Sequence, residues 1–245
     1  MPANILIAIP TYGDSIRTMC FLSLMQLGVA LHSRNIGYET KTIDMAGIDM
    51  VRNIFGSFIL QEKKFTHLLF VDSDMQFEAR LVERLITANK PLIGYIYPKR
   101  SIDLAKFYEA SKNNSFDKAL SLASEFVLGV PFPGFVVSFR DGLGTVQSIG
   151  MGLTLIQRSV FEQMAATGKI PTRATRMATL LGLHGTLFEF FRPMKIRERT
   201  LSEDLSFCER WRELCSGEVW AFADEEVGHI GSFIYRAKFI ERHKK

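Results

Sequence analysis

Short unbroken apolar runs alternate along this chain with longer stretches in which apolar positions recur at helical spacing. Residues 5–9 (Ile-Leu-Ile-Ala-Ile) form the first run, the pattern of a strand covered on both faces. Residues 15–33 read as a long helix behind Asp14 as candidate N-cap. Residues 38–43 alternate and end at Asp44, a second strand, and residues 49–63 read as helix. A third buried strand covers 67–71, a helix over 77–89 stops ahead of Pro91, and a fourth strand covers 92–97. This alternation predicts an α/β protein with a Rossmann-like, doubly wound, mixed or mostly parallel sheet and helices on both faces.

Beyond Pro98 the pattern loosens. Residues 99–130 are polar and weakly periodic, and Pro131-Phe132-Pro133-Gly134 is a break. Residues 135–139 and 145–149 suggest a hairpin around Asp141-Gly142-Leu143-Gly144. Residues 170–201 are irregular again. Leu205, Phe207, Cys208, Trp211 and Leu214 then mark an amphipathic helix after Ser202, and residues 219–222 a short strand. No internal repeat or low-complexity linker divides the chain, so residues 1–245 are expected to form one domain. The two loose segments are the expected carriers of specificity, because loops on a rigid scaffold usually are.

Candidate chemistry gathers at three places. Asp72-Ser73-Asp74 closes the run Leu68-Leu69-Phe70-Val71. Ligands of open α/β sheets bind at the carboxyl ends of strands. Two hard oxygen donors there suit Mg²⁺ or Mn²⁺, and a divalent ion suits a diphosphate. Asp and Ser are also common in plain turns. Downstream, Ser202 is a candidate N-cap with Glu203 and Asp204 in the first turn. The helix dipole favours acids there, so capping alone accounts for both. Last comes Gly228-His229-Ile230-Gly231, where flanking glycines let an imidazole approach a metal or phosphate closely.

In this order the three segments resemble the GT-A glycosyltransferases, nucleotide-sugar-dependent enzymes with a DxD motif, and the family-2-like members in particular. Residues 5–12 also resemble that family's first strand and nucleotide-facing turn, and residues 150–161 its acceptor-side strand and following helix. The resemblance spans residues 4–235 or so. It implies a GT-A domain in which residues 1–100 form the nucleotide-sugar half, and residues 101–245 the acceptor half and C-terminal tail. It implies metal-dependent transfer of a sugar to an acceptor hydroxyl, inverting if an acid acts as base. The metal, Mn²⁺ or Mg²⁺, would be held by Asp74 and His229, with Asp72 on the ribose or the ion's hydration shell. Asp204 would be the general base, with Glu203 the alternative. Pro10, Thr11, Tyr12, Asp44, Arg52, Asp72, Ser73 and Lys99 would line the nucleotide-sugar site, with Asn53 and Arg100 nearby. The implied donor is a UDP- or GDP-sugar, and the acceptor a glycan, a lipid-linked or another hydroxyl compound.

Charge adds a partner class. The net charge is +4, unevenly spread: Lys169, Arg173, Arg176, Arg192, Lys195, Arg197 and Arg199 face only Glu189 and Glu198. The tail adds Arg236, Lys238, Arg242, Lys244 and Lys245. Such a surface is either simply solvated or drawn to an anionic partner: a diphosphate, a lipid phosphate, or an anionic membrane met peripherally through the tail. Residues 233–240, apolar and basic by turns, suit that membrane face or a terminal helix packed on the core. No nucleic-acid recognition motif is present. No apolar stretch approaches the roughly 20 residues of a membrane span. Residues 19–31 are apolar, but Ser23, Gln26 and Gly28 interrupt them and no cleavage-like site follows, so they do not read as a signal peptide. Cys20, Cys208 and Cys215 form no paired framework or zinc spacing, as expected of core thiols in a reducing, cytoplasmic compartment.

Three competing functions are weighed by residue pattern. A sugar-phosphate nucleotidyltransferase would show a Gly- and Lys/Arg-rich loop after its first strand, where this chain has Pro10-Thr11-Tyr12-Gly13-Asp14. A phosphatase with Asp72 as nucleophile would place that strand first. A non-catalytic nucleotide-sugar or glycan-binding protein would share the scaffold, and binding without turnover would mark it.

Overall fold

The computed structural model describes residues 3–129, 137–174, 176, 179, 183–196 and 198–243. Its centre is a seven-stranded sheet of β1 (Asn4–Thr11), β2 (Gly37–Asp44), β3 (His67–Val71), β4 (Leu92–Tyr95), β5 (Leu143–Val146), β6 (Leu153–Gln157) and β7 (Val219–Phe222). The spatial order is β2-β1-β3-β6-β4-β7-β5. Strands β1, β2, β3, β4 and β7 run one way, and β5 and β6 oppose their neighbours. The mixed α/β architecture expected from the alternation is therefore present, and the antiparallel members come from the second half of the chain.

Period-two alternation within these strands divides the core into two layers. Leu6, Ala8, Leu68, Phe70, Leu92 and Ile156 face α2 (Ile48–Gln61), α6 (Arg158–Ala166) and α7 (Glu203–Cys215). Ile5, Ile7, Ile9, Leu69, Val71, Ile93 and Leu155 face α1 (Thr18–Ser33) and α3 (Ala79–Ala88). Two further helices, α4 (Leu104–Ser111) and α5 (Phe116–Ala123), occupy the segment that reads as weakly periodic. A small second sheet joins Met75–Gln76, Gly228–Ile230 and Ile234–Tyr235.

Several boundaries differ from expectation for physical reasons. Asp14 does not cap α1. Gly13 and Asp14 both adopt left-handed backbone (φ 69° and 49°), and Asp14 N–H donates to Asp44 Oδ2 at 3.1 Å. Gly and Asp are residues that tolerate this conformation, so the turn extends and α1 starts at Thr18. Ser202 stands at the N-cap of α7, but its side chain makes no capping hydrogen bond. Strand β4 ends at Tyr95, and Pro98–Ile102 leaves the main sheet to pair with Ser124–Phe126.

Of the expected hairpin the turn forms, with Asp141 and Gly142 in left-handed backbone and Arg140 and Leu143 bridged antiparallel by two hydrogen bonds, but among the described residues no paired arms extend from it. Residues 137–139 are not strand, and β5 pairs with β7, where it covers the sheet edge. Ser148–Ile149 pairs with Leu128–Gly129 instead. The break at 131–134, the start of the expected hairpin arm, Arg197, Lys244 and Lys245 lie outside the described residues. In the tail, Ala237 and Phe239 are buried, with Phe239 against Phe126 at 5.2 Å. Ala237 and Phe239 thus pack on the core, while Phe233 of the same segment stays exposed.

Candidate functional site

Five strands point the same way, so the ends of β1, β2 and β3 share one edge of the sheet, and the polar residues follow there. Thr11 is buried at the end of β1 and Tyr12 projects beyond it, 73% exposed. Asp44 ends β2, and Met45 N–H donates to the Thr11 carbonyl. Pro10, Thr11, Tyr12 and Asp44 are therefore neighbours. At the end of β3 the turn Asp72-Ser73-Asp74 is fixed by its backbone: Asp72 N–H donates to Gly152 O (3.0 Å), and Arg17 N–H donates to Ser73 O (2.9 Å). The Ser73 side chain has a half-buried place between the two acids.

The structure draws Arg52, Asp72, Glu203 and Asp204 into one cluster. Arg52 is 1% exposed, on a helix buried on nearly every side. Its Nη2 donates to both Asp72 oxygens at 3.0 and 3.2 Å. Its Nε stands 3.1 Å from Asp204 Oδ1 and 3.7 Å from Glu203 Oε1. The guanidinium lies over the Phe70 ring at 5.1 Å. A buried cation needs counter-charge, and here carboxylates from residues 72 and 203–204 supply it. Arg52, read from sequence as a nucleotide contact, is placed behind the acids. Asn53 is likewise internal, accepting Phe191 N–H at 2.7 Å.

Asp204 is held from two sides. Its Oδ2 accepts Met151 N–H at 2.9 Å, and its Oδ1 faces Arg52. Burial, with Glu203 and Asp72 close by, pushes its pKa up to about 7 against the pull of Arg52 and the Met151 amide. Glu203 is the more open of the two acids. The turn that supplies Met151 is braced by Tyr97, buried, whose hydroxyl accepts Gly152 N–H at 3.0 Å. A Cβ on Gly150 would overlap that hydroxyl, and one on Gly152 would stand 2.7 Å from it. Tyr97 is thus a part of the site that sequence reading did not identify as such, and the 150–152 turn opens the segment read from sequence as acceptor-side.

The second cluster is Asp74, His229 and Arg100. His229 pairs across the small sheet with Met75, beside Asp74. Its Nδ1 lies 3.0 Å from Pro98 O, so a ring proton belongs on Nδ1, and Nε2 faces Asp74 Oδ2 at 3.3 Å. Two acceptors at that separation need a proton or a cation between them. Arg100 Nη1 also reaches Asp74 Oδ2, at 3.1 Å. Burial raises the Asp74 pKa, but the His229 hydrogen bond and the His229 and Arg100 charges outweigh it and hold the acid below its ordinary value.

These residues fit a divalent ion. Bonds of about 2.1 Å at a right angle put two donor atoms about 3 Å apart, close to the Asp74–His229 spacing. A carboxylate oxygen with an imidazole nitrogen favours a borderline ion over a purely hard one, hence Mn²⁺ ahead of Mg²⁺. Among the described residues no three His, Cys, Asp or Glu side chains gather around one point, so the remaining positions would fall to ligand oxygens and water. Lys99 is turned away. Its Nζ pairs with Glu125 at 3.1 Å while the next residue, Arg100, reaches Asp74, as alternation along a strand requires.

The molecule is thus a mixed-sheet α/β protein with a cluster of acids, paired with Arg52, His229 and Arg100, at the carboxyl edge of its strands. No protein-family model matches the chain, and no curated protein matches it. Among solved structures it is similar to A197 from STIV, at 17% identity over 93% of this chain and 86% of that one, with a TM-score of 0.50. That likeness shows a shared fold. It is also similar to a glycosyltransferase involved in the glycosylation of the major capsid of PBCV-1, at 10% identity over 67% of this chain and 65% of that one (TM-score 0.33). A third similar structure is GalNAc-T7 with UDP, GalNAc and Mn²⁺, at 13% identity over 96% of this chain and 44% of that one (TM-score 0.46).

Proposed function

We propose that this protein transfers a sugar from a nucleotide-sugar to an acceptor hydroxyl, as a GT-A glycosyltransferase with a divalent ion. The observation that carries the reading is the joining of two acids 132 residues apart in sequence: Asp72 and Asp204 meet on buried Arg52, beside the Asp74–His229 pair. Residues 1–100 supply the donor side and residues 101–245 the acceptor side. Tyr12 offers an exposed ring for a nucleobase, and Asp44 a carboxylate at the neighbouring strand end for a ribose. Asp72, oriented by Arg52, offers its partly open carboxylate to the ribose or to coordinated water.

Asp74 and His229 would hold the ion, Mn²⁺ or Mg²⁺, which when bound offsets the charge of a departing nucleoside diphosphate. Pro98 O orients the imidazole, and Arg100 sits within reach of the same phosphates once released from Asp74. Asp204 takes the acceptor's proton, with Glu203 the alternative. A carboxyl group with a pKa of about 7 is matched to that task near neutrality. The donor is a UDP- or GDP-sugar in this reading, and stereochemical inversion follows if an acid at this helix start is the base.

The test is a panel of UDP-, GDP-, CMP- and dTDP-sugars with Mn²⁺, Mg²⁺ or EDTA, followed by nucleotide release. Release from one donor that requires metal and disappears in Asp74→Ala supports the proposal. Tight donor binding without release, with or without acceptors, would instead mark a non-catalytic nucleotide-sugar-binding protein.

A further inference from the structure

Helix α1 carries no Asp, Glu, Lys or Arg in any of its 16 positions. Its inner face buries Cys20, Ser23, Leu27 and Leu31. Its outer face holds a second apolar line: Phe21, Met25 and Val29, four residues apart, are 52, 56 and 71% exposed. By contrast α3, which packs along α1, holds Arg80, Glu83 and Arg84 outside its buried positions. A helix apolar on opposite sides is normally enclosed, and a contiguous exposed apolar patch marks a contact surface.

That patch borders an open sheet edge. Strand β2 is the last strand of the main sheet, and among the described residues only β1 pairs with it, over all eight of its positions. Tyr38 of β2 is exposed, and its hydroxyl lies against Gly28 of α1. Alternation then puts Tyr38, Thr40 and Thr42 on the α1 side of the sheet. Glu39 and Lys41 take the α2 side, where Lys41 lies over the Phe58 ring at 5.0 Å. An unpaired edge of this length is a template for another strand.

We propose that a second copy of this chain covers this face, with the two β2 strands antiparallel about a two-fold axis at Thr40 and the α1 helices packed through Phe21, Met25 and Val29. A two-fold axis normal to the sheet keeps both α1 helices on one side, so residues opposite each other must share a face. Centring on Thr40 sets Glu39 opposite Lys41 of the second copy, twice. Centring on Glu39 or on Lys41 sets like charges opposite each other, which is unfavourable. Within one chain Glu39 and Lys41 form a partly exposed pair at 3.1 Å, so exchanging it for pairs across the edge costs little. A bilayer is a poorer match, because interfacial helices carry basic residues beside their apolar face and α1 has none. The pairing does not depend on the transferase reading.

Sedimentation velocity on the full chain, over a concentration series, reads the mass, and the wild type should be a dimer that dissociates on dilution. Glu39→Lys and Lys41→Glu each set like charges opposite across the edge, and each should raise the dimer dissociation constant by about tenfold or more. An equimolar mixture of the two variants should recover the wild-type affinity, because every Lys then meets a Glu of the other variant. A change confined to one chain would not recover on mixing. Met25→Lys/Val29→Lys should weaken the dimer through the helices, and thermal unfolding checks that every variant is folded. A wild type that stays monomeric at all concentrations overturns the inference, as does a dimer that none of the variants weakens. Failure of the mixture to recover overturns the Thr40-centred pairing. A monomeric wild type that cosediments with phosphatidylcholine–phosphatidylglycerol vesicles, and loses this in Met25→Lys/Val29→Lys, would assign the α1 face to a bilayer instead.

Discussion

Arg52 places one cation among three carboxylates with almost no water to screen it. Removing it would leave Asp72, Glu203 and Asp204 facing one another uncompensated. Breaking a buried ion cluster from one side costs about 3–5 kcal/mol. Arg52→Met should therefore lower the unfolding free energy, read from urea titration, by an amount of that order, and a loss under about 1 kcal/mol would show that the cluster is not held by this charge. The sequence carried a signal for this role. Arg52 lies among Val51, Ile54, Phe55 and Ile59, where a cation needs a partner, and Asp49 three residues away was the local candidate. What periodicity lacked was the identity of that partner, which depends on β3 and α7 being brought together.

Asp204 gives a pH signature with a definite sign. Its folded-state pKa is raised from 3.8 to about 7, so the folded protein holds a proton that the unfolded chain releases near pH 4. Its contribution to stability is present below pH 4 and is lost as pH rises toward 7. The difference in unfolding temperature between wild type and Asp204→Asn should therefore fall over that window. As a base Asp204 must be ionised, so transfer should rise with pH up to about 7 in the wild type, and Asp204→Asn should be slow throughout. An unchanged wild-type rate in Asp204→Asn would remove Asp204 from the catalytic assignment and leave Glu203.

At the scale of elements, the turn 150–152 links the two acids. It gives Met151 N–H to Asp204 and Gly152 O to the Asp72 amide, and Tyr97 braces it from the core. Gly152→Ala would press a methyl group on the Tyr97 hydroxyl. Such overpacking costs about 1–3 kcal/mol, and here the strain falls on the acids. Transfer should fall further than donor binding, measured by KM and kcat on a protein whose unfolding temperature is modestly reduced. Equal losses in both would reduce the turn to a structural role.

The elements also show where pattern reading stops. Buried strands β1 and β3 and helices α2 and α3 were legible from apolar runs and helical spacing. The start of α1 was not, because Asp14 served a left-handed turn rather than a cap. The turn expected around 141–144 forms at Asp141-Gly142, yet beyond the Arg140–Leu143 bridge β5 pairs with β7, since an open sheet edge competes with local pairing. Lys99 and Arg100 were indistinguishable in sequence. Only the register of Pro98–Ile102 decided which one reached Asp74.

Across the whole molecule, a mixed sheet brings residues from the first half and the last fifth of the chain to one edge. The candidate acids Asp72, Asp74 and Asp204 were visible as residues in sequence. Their assembly, with Arg52 beneath and His229 alongside, follows from the sheet order β2-β1-β3-β6-β4-β7-β5 and from the small sheet that ties Met75 to His229. The central claim is that Asp74 and His229 hold a divalent ion together with a nucleoside diphosphate. The most direct test titrates Mn²⁺ into the protein with UDP or GDP present, reading the free-ion EPR signal for wild type, Asp74→Ala and His229→Ala. The account predicts that the wild type takes up Mn²⁺ in a nucleotide-dependent way, and that each variant weakens uptake by about tenfold or more while keeping its unfolding temperature. Uptake by both variants equal to wild type would contradict it.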